Sequence, residues 1–116
     1  MHELSIASAI LERVQAEAGR QTGHISRVGV RVGELSGVSP DALAFGFEML
    51  VKDTDMEPLA LAIEVCPRRQ RCSACENEFA VPAPGLETAC PKCGSPATVC
   101  IAGDELDIAF MEVEDE

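Results

Sequence analysis

Two close pairs of cysteines constrain this chain more than any other feature of its sequence. The pairs read Cys72-Ser-Ala-Cys75 and Cys90-Pro-Lys-Cys93, with fourteen residues between them. Two cysteines separated by two residues can hold one ion from a tight turn, here called a knuckle, and two facing knuckles complete a tetrahedron of four thiolates. Gly94 follows the second pair, where such a turn often needs a residue that tolerates positive φ. The spacing therefore predicts a zinc site at Cys72, Cys75, Cys90 and Cys93.

The segment around the two pairs differs in composition from the rest of the chain. Residues 66–100 contain all six cysteines and five of the seven prolines, with few large apolar side chains. Such a segment cannot build its own apolar core, so metal binding has to supply folding energy. Because all four ligands are cysteines, no position is left open for water, which predicts a structural zinc. An iron centre or a metal-free set of thiols is the alternative.

Hydrophobic periodicity predicts a small α+β body outside this segment. Apolar residues recur at steps of three and four in residues 4–18 and again after Ser39-Pro40, which is a favourable helix start. Alternating apolar residues predict strands in residues 25–32, 58–65 and 105–113, the last with Leu106, Ile108 and Phe110 on one face. The expected architecture is two helices on a three-stranded antiparallel or mixed sheet, with a four-cysteine zinc ribbon inserted before the last strand.

Charge and composition exclude several classes of function. The 116 residues include 20 acidic and 9 basic side chains, and the net charge of −11 disfavours binding to nucleic acid. The chain has four Phe and no Tyr or Trp, so it lacks the aromatic platforms on which bases stack. It has no apolar run long enough for a membrane span and no signal-peptide pattern at its start, so we expect a cytoplasmic protein.

The start of the chain, Met-His-Glu, offers a second set of metal donors. The α-amine of Met1 and the amide and ring nitrogens of His2 can close fused chelate rings around one ion, and Glu3 can supply a fourth donor. A nitrogen-rich square-planar site favours Ni(II) or Cu(II). Coordination needs neutral imidazole, so the affinity should fall as the pH drops through the histidine range. A histidine at position 2 is a weak signal by itself.

The order of these motifs along the chain resembles one family. The start MHELSIASAI, the segment RVGVRVGELSGVSPDALAFGFE, the run LAIEVCPRRQRCSAC, the knuckle CPKCGS and the closing GDELDIAFMEVE together resemble the HypA/HybF nickel metallochaperones over essentially the whole chain. The resemblance implies a nickel-binding α/β domain of residues 1–66 plus 98–116 and a zinc-ribbon domain of residues 67–97. It also implies nickel ligands at Met1, His2 and Glu3 and zinc ligands at the four knuckle cysteines.

The resemblance further implies a function and its partners. The chain would take up Ni(II) and deliver it during maturation of [NiFe] hydrogenase, and some relatives also serve urease. The expected partners are a HypB-type GTPase and the hydrogenase large subunit, and the chain would be a monomer or a homodimer. Some relatives use an acidic residue near the start of the second helix, for which Ser39 and Asp41 are the candidates here. Some carry histidines beside the zinc cysteines, and this sequence has none there.

Two other functions stay open on the sequence alone. A zinc-ribbon module that docks on a protein partner would use the knuckles and not the amino terminus. A thiol redox enzyme would use one C-x-x-C motif, although that motif normally opens a helix, and two matched pairs fit zinc better. No nucleophile–base set and no Gly-rich phosphate loop is visible, so we expect a metal carrier and not an enzyme.

Cys66 and Cys100 are interpreted as buried free thiols, and His24 as a surface residue.

Overall fold

The computed structural model of the chain describes residues 3–81 and 89–115. The described elements are α1 (Glu3–Ala18), β1 (His24–Gly33), α2 (Pro40–Val51), β2 (Ala60–Cys66), β3 (Arg69–Cys72), β4 (Glu78–Ala80), β5 (Thr98–Ala102) and β6 (Leu106–Glu114). The strands form two three-stranded sheets, of order β2-β1-β6 and β4-β3-β5. Neither described helix has the length and apolar character needed to cross a membrane.

The first sheet is mixed, and the two helices cover one of its faces. β1 runs parallel to β2 and antiparallel to β6. A parallel pair needs a crossover connection, which α2 supplies between β1 and β2. The valines of β1 that alternate toward the helices are at most 2% exposed and join the apolar side chains of both helices in one core: Val28, Val30 and Val32. The prediction of two helices on a three-stranded antiparallel or mixed sheet is therefore confirmed, and the sheet is mixed.

The start of α1 packs against α2. Ser39 caps α2, because its side chain accepts a hydrogen bond from the Ala42 amide at 3.3 Å. Gly46 of α2 faces α1, and a Cβ placed there would lie 3.4 Å from the Leu4 side chain and 3.9 Å from that of Ala7. Both distances are ordinary van der Waals contacts, so the start of α1 lies against the face of α2 that carries Gly46.

The last strand departs from the simple alternation that the sequence predicts. Gly29 of β1 pairs with Phe110 and the next residue, Val30, pairs with Ile108, so Ala109 is an extra residue in β6. This β-bulge places Phe110 on the face away from the helices, 42% exposed, with its ring over the backbone of Gly29. Ile108 packs against the core. The prediction that Phe110 shares a face with Ile108 is therefore wrong, because a hydrophobic pattern alone does not reveal a bulge.

The second sheet is built from three short strands that hydrophobic periodicity did not predict. We call this sheet, together with its two knuckles, the cysteine module. β3 pairs antiparallel with β4 on one side and with β5 on the other. Its strands have only four, three and five residues. The module leaves the first sheet after Cys66 and returns to it at Leu106. The predicted insertion of a four-cysteine module before the last strand is confirmed.

A narrow neck joins the two sheets around Gly33 and Gly103. The Gly33 amide donates to the Glu105 carbonyl at 2.7 Å, and the Leu35 amide donates to the Gly103 carbonyl at 2.6 Å. A Cβ at Gly33 would overlap the Gly103 carbonyl oxygen, and Gly103 itself has a φ of +119°. The backbones therefore approach too closely for a side chain at Gly33, and the conformation of Gly103 suits only glycine.

Candidate metal centres

The four cysteines of the two knuckles come together in the cysteine module. Their Sγ atoms all lie within 4.8 Å of one another. The Sγ atoms of Cys72 and Cys93 are 3.5 Å apart, and those of Cys75 and Cys90 are 3.6 Å apart. Sulfurs at the corners of a tetrahedron around zinc, each about 2.3 Å from the ion, are about 3.8 Å from one another. The four sulfurs thus fit a tetrahedral zinc with little movement.

The two knuckles repeat the same backbone hydrogen bonds. In the first, the Glu76 amide donates to the Cys72 carbonyl at 2.9 Å. In the second, the Gly94 amide donates to the Cys90 carbonyl at 2.8 Å. Glu76 and Gly94 both have positive φ, 66° and 78°. The sequence indicated this conformation only at Gly94, because glutamate adopts it rarely and gives no signal for it.

Several N–H groups point at the sulfurs. Cys72 Sγ accepts hydrogen bonds from the Ala74 and Cys75 amides, each at 3.4 Å. Cys90 Sγ accepts one from the Lys92 amide at 3.4 Å and one from the side-chain Nδ2 of Asn77 at 3.7 Å. Hydrogen bonds donated to a sulfur stabilise the thiolate, which is the form that binds a metal. Sequence reasoning missed Asn77, because no spacing rule marks it.

Two of the four thiols ionise more readily than an ordinary cysteine. Burial opposes ionisation of Cys90, but hydrogen bonds from the Cys93 and Lys92 amides help to lower its pKa to about 6. The pKa of Cys72 is also lowered, chiefly by the hydrogen bond from the Cys75 amide. In each knuckle, the first cysteine is therefore the one that ionises more readily.

The second cysteine of each knuckle keeps its proton. The hydrogen bond from the Asn77 amide favours the Cys75 thiolate, but burial and hydrogen bonds to the neighbouring sulfurs outweigh it and raise the pKa of Cys75 to about 12. The Ser95 amide likewise favours the Cys93 thiolate, but the hydrogen bond to Cys72 and burial raise the pKa of Cys93. A metal that binds all four sulfurs must displace these protons.

The predicted nickel residues Met1 and His2 lie outside the described residues. Glu3 is the first residue of α1, and its Oε2 accepts a hydrogen bond from the Ser39 amide at 3.1 Å. Since Ser39 caps α2 and Asp41 lies in the first turn of that helix, the starts of both helices lie side by side. The carboxylate of Glu3 satisfies an amide there and complements the positive end of the helix dipole.

The remaining cysteines and His24 are not part of the four-cysteine cluster. The six cysteines are free thiols. Cys66 is buried, as predicted, whereas Cys100 is exposed, so the prediction of a buried thiol is wrong there. Cys100 lies on β5, an edge strand of the second sheet, and an edge strand has a neighbour on only one side. His24 Nε2 lies 3.4 Å from a Glu114 carboxylate oxygen at the exposed end of β1.

Comparison with known proteins identifies the family. The sequence model of the HypA family, described as hydrogenase/urease nickel incorporation, metallochaperone, matches residues 1–113. A hydrogenase maturation factor HypA from Geobacter metallireducens is 39% identical, over 98% of this chain and 100% of its own length. A protein of the same name from Streptomyces avermitilis is 38% identical, over 99% of this chain and 88% of its own length.

Solved structures agree with this assignment. The solution structure of the Ni metallochaperone HypA from Helicobacter pylori aligns with a TM-score of 0.64 and 26% identity, and the alignment covers 100% of both chains. A second solution structure of a HypA protein aligns with a TM-score of 0.72 and 25% identity over 100% of this chain and 98% of the other. These findings confirm the resemblance seen in the motifs. The chain belongs to the HypA family of nickel metallochaperones for hydrogenase and urease.

Proposed function

We propose that this chain carries Ni(II) at its amino terminus and delivers it during maturation of [NiFe] hydrogenase, while a structural zinc holds the cysteine module. The observation that carries the proposal is the presence of two donor sets of different chemistry in a member of this family. Glu3 belongs to the helix-covered body, and the four thiols belong to the second sheet. Nitrogen and oxygen donors suit nickel, and four thiolates suit zinc.

The proposed nickel ligands are the α-amine of Met1, the amide and ring of His2, and Glu3. The Glu3 carboxylate accepts a hydrogen bond from the Ser39 amide. If this carboxylate turned to nickel, the Ser39 amide would lose its acceptor and would need water or another group in its place. Nickel loading would then change the packing between the starts of α1 and α2, which gives a partner protein a surface that differs between the loaded and empty carrier.

The proposed zinc ligands are Cys72, Cys75, Cys90 and Cys93. When bound, the ion would link the two knuckles, and its binding energy would become folding energy of the module. With four protein ligands it would offer no open position to a substrate. The proposed partners are a HypB-type GTPase and the hydrogenase large subunit, the acceptors that delivery of nickel requires.

The proposal is tested by calorimetric titration of Ni(II) into two zinc-loaded forms of the chain. One form begins at Met1, and the other has a single glycine before Met1, which moves the free amine out of its chelate position. We expect the native form to bind one nickel and the extended form to bind it at least about tenfold more weakly, about 1.4 kcal/mol. The variant His24→Ala is the control and should bind as the native form does.

Two outcomes would contradict the proposal. If both forms bind nickel equally, the ligands lie elsewhere in the chain. If neither form binds nickel while the zinc remains in place, the chain acts as a zinc-ribbon module that docks on a protein.

A further inference from the structure

Among the residues that the structure describes, one side chain other than cysteine donates a hydrogen bond to one of the four sulfurs. It is Asn77, whose Nδ2 lies 3.7 Å from Cys90 Sγ. The other described N–H donors to these sulfurs are backbone amides. Asn77 follows the first knuckle, and Cys90 opens the second, so this hydrogen bond joins the two halves of the site.

The backbone of Asn77 is also engaged in the first knuckle. Its carbonyl accepts a hydrogen bond from the Cys72 amide at 2.9 Å, and its amide donates to the Cys75 sulfur. One residue therefore contacts three of the four cysteines, two in its own knuckle and one across the site. Its side chain is half-buried, which limits competition from water for the Cys90 sulfur.

Ser95 occupies the corresponding position after the second knuckle and makes no such link. Its carbonyl accepts from the Cys90 amide at 2.9 Å, which repeats the backbone pattern of Asn77. Its Oγ, however, accepts a hydrogen bond from the Ala97 amide at 3.2 Å within its own turn. The two knuckles thus share these backbone hydrogen bonds but differ in what the side chain at this position contacts.

We propose that Asn77 is a positioning residue for the zinc site, which holds Cys90 in place and locks the two knuckles together around the ion. This inference rests on the zinc part of the proposed function. A hydrogen bond to a ligating sulfur orients it and withdraws charge from it, so a competing ligand displaces it less readily. Partners of this kind commonly change metal affinity by about 10–100-fold when removed.

The first test measures the rate at which the zinc-loaded full-length chain releases zinc to an excess of chelator. Asn77→Ala removes the donor, and Asn77→Asp keeps the shape but places a carboxylate against the thiolate. We expect release to be about tenfold faster in Asn77→Ala and faster still in Asn77→Asp. The matched control Ser95→Ala should stay within about twofold of the native rate. Native release rates in both Asn77 variants would overturn the proposal.

The second test uses the unmutated chain and so does not depend on whether a variant folds. With 113Cd in place of zinc, we expect the side-chain amide protons of Asn77 to show scalar coupling to the metal through the sulfur. No coupling at these protons, with coupling present at the backbone amides of the knuckles, would overturn the proposal. If the purified native chain held no zinc, the zinc part of the proposed function would fail, and this inference would fail with it. Bound zinc with unaffected variants would refute the inference about Asn77 alone.

Discussion

The body, which consists of α1, α2 and the sheet β2-β1-β6, and the cysteine module each contain three strands. Each of these two regions is stabilised by a different means. Among the described residues, the body buries thirteen apolar side chains in one cluster, drawn from both helices, the first sheet and the loops beside them. Among the described residues after Cys66, the buried side chains are only Gln70, Cys72, Val81 and Cys90. Since these cannot supply the burial that stabilises a domain, a metal bound by the four thiols would have to do so. Under the proposed function, one chain thus combines an apolar core with a fold that depends on a metal.

The largest expected effect that tests this comparison is loss of zinc. Cys72→Ser, or removal of the ion by a chelator, should unfold the cysteine module and leave the body folded, because apparent binding energies of structural zinc are about 10–16 kcal/mol. In 1H–15N spectra, the amides of β3, β4 and β5 should collapse to random-coil positions, while those of Val28, Val30 and Val32 stay in place. Collapse of both sets would show that the body depends on the metal as well.

The converse change concerns the apolar core. Phe47 is 1% exposed at the centre of the body cluster, so Phe47→Ala should lower the free energy of unfolding of the body by about 3–5 kcal/mol. Chemical denaturation of the zinc-loaded chain measures this loss. The rate of zinc release to a chelator at low denaturant should stay near the native value, and a large increase would mean that the two regions are not independent.

The pH dependence of zinc affinity follows from the unequal pKa values of the four thiols. The raised pKa values of Cys75 and Cys93 keep these thiols protonated at neutral pH, so zinc binding releases at least two protons and the affinity should fall at least about 100-fold per pH unit on acidification. Below about pH 6 the pKa of Cys90 is also crossed, and the dependence should become steeper. Competition with a chelator at several pH values measures this slope. A flat profile between pH 6 and 8 would contradict the assignment of protons.

The smallest expected effect on stability comes from the positive-φ residue of each knuckle, Gly94 or Glu76. Gly94 has positive φ and open space around it, so Gly94→Ala should destabilise the module by about 1 kcal/mol through backbone strain alone. Glu76 adopts the same conformation with a side chain, so Glu76→Gly should be neutral or stabilising by up to about 1 kcal/mol. Thermal unfolding of the cysteine module in the zinc-loaded full chain measures the change in stability for both variants. A large loss of stability in Glu76→Gly would show that its side chain has a role beyond the turn.

Sequence reasoning succeeded where a repeating physical pattern exists. The helices and the three strands of the body follow from apolar periodicity, and the four-cysteine cluster follows from the spacing of cysteines. The strands β3 and β4 read Arg-Gln-Arg-Cys and Glu-Phe-Ala, too short and too polar to show alternation. The position of Phe110 could not be predicted, because a bulge adds one residue without changing composition. The bridging role of Asn77 depends on the distance between two knuckles that are far apart in sequence.

The two donor sets suit the two tasks that the proposed function requires. A structural metal should stay bound, and four thiolates with several N–H donors favour retention. A carried metal has to be released to an acceptor. Donors at a chain terminus can separate from the ion without unfolding the protein, so they suit reversible loading. The central claim is therefore that nickel and zinc occupy chemically different sites in one chain.

X-ray absorption spectroscopy of the chain loaded with one equivalent each of nickel and zinc tests this claim most directly. At the nickel edge, we expect nitrogen and oxygen ligands only, in a planar arrangement. At the zinc edge, we expect four sulfurs at about 2.3 Å. Sulfur in the nickel coordination sphere, or nitrogen ligands at zinc, would show that the metals share or exchange the cysteine site, and the account of two separate sites would be wrong.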